Sequence, residues 1–427
     1  MIGSEDTPEG TTRYQMLETL GEYARERLDE HGDTDQWRRR HAEHYADWAE
    51  DAGPGLLGRD ELTWRTRESA ELDNLRASVT WALDRNEPDD IRLALRVIGA
   101  LAAESRIDPA TGIGAWAERA LPHVEITTPP LRYAVTAAAA SYETRLGNYE
   151  QARELAERAI GDGVPVSALA PQLAYLTLGL CASVRGDWQQ AMEIVLDAAR
   201  LLNRDFPDSA HRETLHVNAA TFAAQAGDSI VAGREAESAL GQARTSANPT
   251  ALAAALMAKG WALITDDLAA ALAALDRSIA LSRQGASPQS FPTALRLAAL
   301  IRIRTGDLPH AARDLREAIE RSHHGGYRLT FDASILSGIE ILIRLDLLEQ
   351  AAVFDGIAST GLTPEYRAGT EWAHQQSAIA SARAALEPDR YDQAFHTGAQ
   401  MTYDQAVDHS LRILDDVINE TSQTHTT

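Results

Sequence analysis

The chain has 427 residues, 44% hydrophobic and 24% charged, the balance of a folded protein, with only 6% aromatic. Its formal net charge of -23 and pI near 4.9 repel phosphate backbones and anionic headgroups, so neither direct nucleic-acid binding nor membrane association is expected. Lys259 is the one lysine and is followed by Gly260 and Trp261, whereas a phosphate-binding loop needs Lys followed by Ser or Thr after a glycine-rich turn. Cys181 is alone, which excludes an internal disulfide and multi-cysteine metal centres, and its apolar neighbourhood marks it as a buried, inert thiol. No apolar run approaches the roughly 20 residues that span a bilayer, and the N-terminus is polar and acidic, so the expected location is the cytoplasm.

In chain order, residues 1–12 read as a flexible leader rich in Gly, Glu, Asp and Thr. From Tyr14 to Leu28 the positions Tyr14, Leu17, Leu20, Ala24 and Leu28 fall at helical spacing, with Gly32 as a fitting C-cap. A second helix, Gln36 to Glu50, sets Trp37, His41, Tyr45 and Trp48 on one face and is expected to end before Gly53-Pro54-Gly55. Further helices are expected from Arg59 to Asn86, Asp90 to Ser105 and Ile113 to Leu121. Nothing alternates with period two, so no strand is expected.

An internal repeat decides the fold class. Leu146-Gly147-Asn148-Tyr149-Glu150-Gln151-Ala152 returns as Arg185-Gly186-Asp187-Trp188-Gln189-Gln190-Ala191 and as Ala226-Gly227-Asp228-Ser229-Ile230-Val231-Ala232, then less fully from Asp266, Gly306 and Asp346. The anchors Gly147, Gly186, Gly227, Asp266, Gly306 and Asp346 lie 39, 41, 39, 40 and 40 residues apart. In each unit a helix ends at the anchor, an Asp or Asn caps the next helix, and an aromatic or Leu plugs the pair. A second small residue (Ala159, Ala198, Ala239, Ser278, Ala318, Ala358) follows seven positions after the first Ala and lets the helices approach.

The pattern resembles the tetratricopeptide repeat, whose usual unit has about 34 residues. The expected fold is therefore all-α, a tetratricopeptide-like α-solenoid forming a right-handed superhelix with a concave face.

Two segments outside the repeats carry a narrower resemblance. Arg13-Tyr14-Gln15-Met16-Leu17-Glu18-Thr19-Leu20 through Leu28, with Arg40-His41-Ala42-Glu43-His44-Tyr45, is similar to the stretch that follows the nucleotide-binding and winged-helix modules of bacterial STAND-class signalling ATPases, and Glu71-Leu72-Asp73-Asn74-Leu75-Arg76-Ala77 with Trp81-Ala82-Leu83 is similar to that family's hallmark at the start of its repeat arm. Members of that class carry LuxR-type or antibiotic-regulatory (SARP/AfsR-like) DNA-binding domains, and some carry cyclase domains. Gly398-Ala399-Gln400-Met401-Thr402 to Val407 is similar to the closing segment of such proteins.

The resemblance runs from Arg13 to about Leu414 and implies only the sensor arm, since the ATPase and DNA-binding or cyclase modules are absent from this sequence. It divides the chain into the leader (1–12), a helical linker (13–55), atypical hairpins (56–128), repeats (129–362), capping helices (363–416) and a disordered tail (417–427).

Local motifs add little chemistry. His41 and His44 flank Glu43, but HExxH is missing and no third ligand is near, so they read as packing residues and no metal is expected. Gly112-Ile113-Gly114-Ala115-Trp116-Ala117 lacks a preceding strand and reads as a helix start. His323-His324-Gly325-Gly326-Tyr327 reads as a loop between repeats. No nucleophile elbow or carboxylate pair stands out, so neither an enzyme nor a cofactor is expected.

The concave face is the better candidate. Tetratricopeptide register places Thr144, Arg145, Thr177, Ser183, Asn218, Gln225, Arg296 and Arg304 there, and two arginines in an acidic protein suit an acidic peptide or an anionic metabolite. The expected function is a non-catalytic regulatory module whose groove takes a protein segment or small effector. The alternative is a free-standing scaffold for protein–protein contacts. The sequence carries no signal for oligomeric state.

Overall fold

The structure, a computed structural model, describes residues 2–6, 12–16, 18–161, 168–207, 209, 212–361 and 370–424. Strands β1 (Ile2–Asp6) and β2 (Thr12–Met16) pair antiparallel, with Ile2 opposite Met16. Then come α1 (Glu18–His31), α2 (Thr34–Leu56), α3 (Glu61–Arg85), α4 (Pro88–Ala100), the single turn α5 (Glu104–Ile107) and α6 (Ile113–Ala120). Six helical hairpins follow: α7 (Pro129–Leu146) with α8 (Tyr149–Ile160), α9 (Leu169–Val184) with α10 (Trp188–Asp205), and α11 (Glu213–Ala226) with α12 (Ser229–Ser246). The last three are α13 (Pro249–Leu263) with α14 (Leu268–Arg283), α15 (Phe291–Thr305) with α16 (Leu308–Gly325), and α17 (Arg328–Arg344) with α18 (Leu348–Gly361). Helices α19 (Thr370–Ala385), α20 (Pro388–Ala399) and α21 (Tyr403–Thr424) close the chain. The molecule is a tetratricopeptide-like α-solenoid, and among the described residues no helix is long and apolar enough to cross a membrane.

The repeat turns work as their residue types require. Gly147, Gly227 and Gly306 adopt φ of 82°, 84° and 86°, the left-handed C-cap that residues with a Cβ avoid. The carboxylates of Asp187, Asp228, Asp267 and Asp307 each accept the backbone N–H three residues on, at 3.0, 3.0, 2.9 and 3.4 Å. Asn148 departs from this: its Nδ2 donates to Glu143 at 2.7 Å instead. The six small residues from Ala159 to Ala358 are all buried, and Ser278 also donates its hydroxyl to the Ala253 carbonyl at 2.7 Å. At the plug position Trp188 is buried, whereas the third unit has Ser229 there and leaves its neighbour Ile230 82% exposed. First helices such as α9 and α15 are apolar nearly all round because they lie between their partners and the inside of the superhelix.

Four expectations need correction. The N-terminal segment pairs as a β-hairpin, so Tyr14 is in a strand and the first helix begins at Glu18; Leu17 lies outside the described residues. Helix α2 runs through Gly53-Pro54-Gly55 to Leu56, because these glycines mark close approach. A Cβ on Gly53 would stand 2.5 Å from the Ala100 carbonyl oxygen, and one on Gly55 would stand 2.2 Å from the Trp64 indole nitrogen. The expected Asp90-to-Ser105 helix is split into α4 and α5. Finally, α21 continues through the expected tail to Thr424, with Leu414 and Val417 buried on the α16 side of the core. A capping box starts α21: the Gln405 N–H donates to Thr402 Oγ1 at 3.3 Å, and the Thr402 N–H donates to Gln405 Oε1 at 2.9 Å.

Candidate functional site

Inside the superhelix lies a cavity of about 320 Å³, lined by α9, α11, α13, α15 and α17 and, from the N-terminal side, by Leu57 and the segment around α5. Its wall carries apolar side chains such as Leu173, Leu176 and Leu180 on α9, Phe222 on α11, Met257 and Trp261 on α13. Set into that wall are Gln172, Ser183, Asn218, Gln225, Arg296 and Arg106.

Two contacts far apart in sequence hold the N-terminal side against the repeats. Thr250, in the first turn of α13, donates its backbone N–H to Glu61 Oε2 at 2.8 Å and its hydroxyl to Glu61 Oε1. The same hydroxyl accepts the Ser287 N–H at 2.7 Å, and the carboxamide of the α13 N-cap, Asn248, donates to the carbonyls of Gly58 at 2.9 Å and Leu56 at 3.3 Å. Behind this latch Arg65 donates to Glu61 at 2.6 Å and to Glu104 at 2.9 Å. Burial pulls the Arg65 pKa down, but the Glu104 and Glu61 carboxylates outweigh it and the net shift is upward. Beside them burial, reinforced by the Glu104 charge, pushes the Glu68 carboxyl up to about 8, and burial raises Glu104 as well.

Arg106 is different. It projects from α5 into the cavity and donates to the Asn218 carboxamide oxygen at 3.1 Å, and its Nε is sealed from solvent without a hydrogen-bond partner. No carboxylate pairs with it among the described residues, and burial pushes its pKa down to about 10, which leaves it charged at neutral pH.

Of the sequence-selected residues, Ser183, Asn218, Gln225 and Arg296 come together in the cavity lining. Arg296 is buried with its guanidinium 5.5 Å from the centre of the Trp261 ring. The other four lie elsewhere. Thr177 is 1% exposed in the core, one residue round the helix from the lining residue Leu176. Thr144 bonds its hydroxyl to the Ser141 carbonyl at 2.7 Å. Arg145 stacks on Tyr142 at 5.0 Å and packs against the turn at Gly326. Arg304 is exposed at the end of α15, two turns beyond Arg296, and donates to the Ile264 carbonyl at 3.4 Å. Sequence register missed Arg106 and Thr250, since neither stands at a repeated concave position.

The remaining motifs are structural. His41 hydrogen-bonds Ser78 at 3.0 Å and lies 4.7 Å from the Tyr45 ring. Gly112 has φ +85 and precedes α6, where a Cβ on Gly114 would meet Tyr142 at 2.8 Å. The expected loop at His323 is instead the last turn of α16, which runs to Gly325, and Tyr327 beyond it is half-buried with its hydroxyl sealed from solvent. Cys181 is buried, its thiol pushed up to about 11 by burial, and it donates to the Tyr149 carbonyl at 3.5 Å. Among the described residues lining the cavity Glu213 is the one carboxylate, and none is His, Cys, Asp or Lys. A wider depression of about 910 Å³ between α1, α2 and α3 already has ion pairs, Arg85 with Asp35 and Arg76 with Asp73, both at 2.6 Å.

No family model matches the sequence, and no curated protein matches it significantly. Several solved structures are similar to it at a distance, three of which follow. A Rap protein complexed with competence and sporulation factor has a TM-score of 0.49 and 13% identity, over 82% of this chain and 99% of that one. A Signal Transduction ATPase with Numerous Domains protein with a tetratricopeptide repeat sensor, from Pyrococcus horikoshii, has 0.43 and 13%, over 81% and 55%. NprR in complex with its cognate peptide NprX has 0.42 and 12%, over 74% and 99%. These likenesses are remote, and the fold assignment rests on the helices and repeat turns of this chain.

Proposed function

We propose that the chain is a non-catalytic regulatory binding module working in the cytoplasm, the sensing arm of a STAND-type regulator, and that its effector occupies the cavity inside the superhelix. One observation carries this reading: five successive first helices and a non-repeat segment converge on one cavity of about 320 Å³, whose wall combines apolar side chains with many polar ones, a concave site of the size that small molecules occupy. Repeat packing alone needs no polar side chains there, since each unit buries its apolar stripe on its neighbours. Effector binding would favour the closed arrangement of the N-terminal segment against α13, a change that an attached switch module could read.

The test fills the cavity. Ala254 lines it with room beside a small side chain, and Ala254→Trp should abolish the thermal stabilisation that a metabolite library gives the parent chain. If every stabilising compound acts equally on both, the cavity is not the site. The rival scaffold reading predicts partner binding that is indifferent to this substitution.

A further inference from the structure

The charge pattern around the cavity narrows the effector class; this step rests on the cavity reading above. Of the other half-buried arginines, Arg65 is matched by Glu61 and Glu104 and Arg302 by Asp276 at 2.7 Å and by Asp314, while Arg145 stacks on Tyr142. In a chain with 63 acidic residues against 40 basic ones, carboxylate partners are in excess, yet Arg106 has only an amide oxygen among the described residues. A guanidinium that lines a cavity without a counter-charge is the natural partner of a carboxylate, which it binds through charge-assisted hydrogen bonds.

We infer that the cavity takes a small molecule with an apolar body and a single carboxylate, and that this carboxylate docks on Arg106 beside Asn218. The apolar body lies along Leu173, Leu176, Phe222 and Met257. A cavity of about 320 Å³ has room for such a body. Net charge is limited. Among the lining residues Arg106 and Arg296 are cationic and Glu213 is anionic, so one carboxylate balances the cavity. Arg106 is supplied by α5, outside the repeats, so occupancy also ties the N-terminal segment to α11.

The experiment uses decanoate and phenylbutyrate with their primary amides as probes, read by calorimetry and thermal shift at neutral pH on the full chain, Arg106→Gln and Ala254→Trp. The acids should bind the parent chain at least about tenfold more tightly than their amides, and Arg106→Gln should remove that preference. Because acid against amide is compared on the unaltered protein, the result stands even if Arg106→Gln folds poorly. Equal binding of acid and amide, or a preference that survives Arg106→Gln, overturns the carboxylate assignment while leaving the cavity reading intact. Binding that survives Ala254→Trp overturns the cavity reading itself, and failure of both acids to bind the parent chain overturns the carboxylate assignment.

Discussion

Arg65 and Arg106 are both half-buried guanidiniums on neighbouring parts of the N-terminal segment, and they sit in opposite electrostatic settings. Arg65 is held by two carboxylates at 2.6 and 2.9 Å in a region that joins α3, α5 and α13. Arg106 faces a cavity with one amide oxygen. In the first region the guanidinium charge is matched by carboxylates, although Arg65 Nη2 and Glu104 Oε1 keep no hydrogen-bond partner, so its charges fix the architecture. The second has no carboxylate for its guanidinium among the described residues, and the carboxylate of the proposed effector would complete it.

Substitutions can break or sharpen that contrast. The largest effect is expected at Arg65→Met, which strands Glu61 and Glu104 in the interior; chemical denaturation should show a loss of about 3–5 kcal/mol. Next is Thr250→Val, which keeps the shape but removes the hydroxyl between Glu61 and Ser287, with an expected loss of about 1–3 kcal/mol in the same assay.

A smaller, pH-dependent effect belongs to Glu68. Its carboxyl titrates at about 8 in the fold against an ordinary 4.5, so folding favours the protonated form. That contribution to stability is fully present below pH 4.5 and is lost as pH rises through about 8. Glu68→Gln stays neutral, so melting curves should converge with those of the parent near pH 4.5 and lie about 2 °C or more above them at pH 9.

The smallest change is expected at Arg106→Met, where an unmatched charge gives way to an apolar side chain. Stability should stay within about 1 kcal/mol of the parent or rise, opposite in sign to Arg65→Met. A loss as large as that at Arg65 would show that the two regions do not differ in the way described.

The repeats were legible because each unit repeats one physical problem at a fixed period, and the glycine turns, Asp caps and small residues solve it alike. Half of the selected concave residues reach the cavity for the same reason. Thr177 fails because one residue on a helix is about 100° of rotation, and Arg304 because the helix carries it beyond the lining. Arg106 and Thr250 were not legible at all. Their partners Asn218 and Glu61 are 112 and 189 residues away, and no local pattern encodes pairing across that distance. The turn at Gly53 to Gly55 misled for a related reason, since the same residue type marks a helix end in one context and a tight helix crossing in another.

The Glu61–Thr250 latch has a mechanical consequence. A stack of repeats in which each unit touches only its neighbours can fray from either end, one hairpin at a time. Here the chain bends back and fastens α3 to the fourth hairpin, so the stretch between them behaves as a closed loop rather than an open coil, and its hairpins must loosen together. Cutting that fastening should turn one unfolding transition into a staggered series, in which the end hairpins melt before the middle.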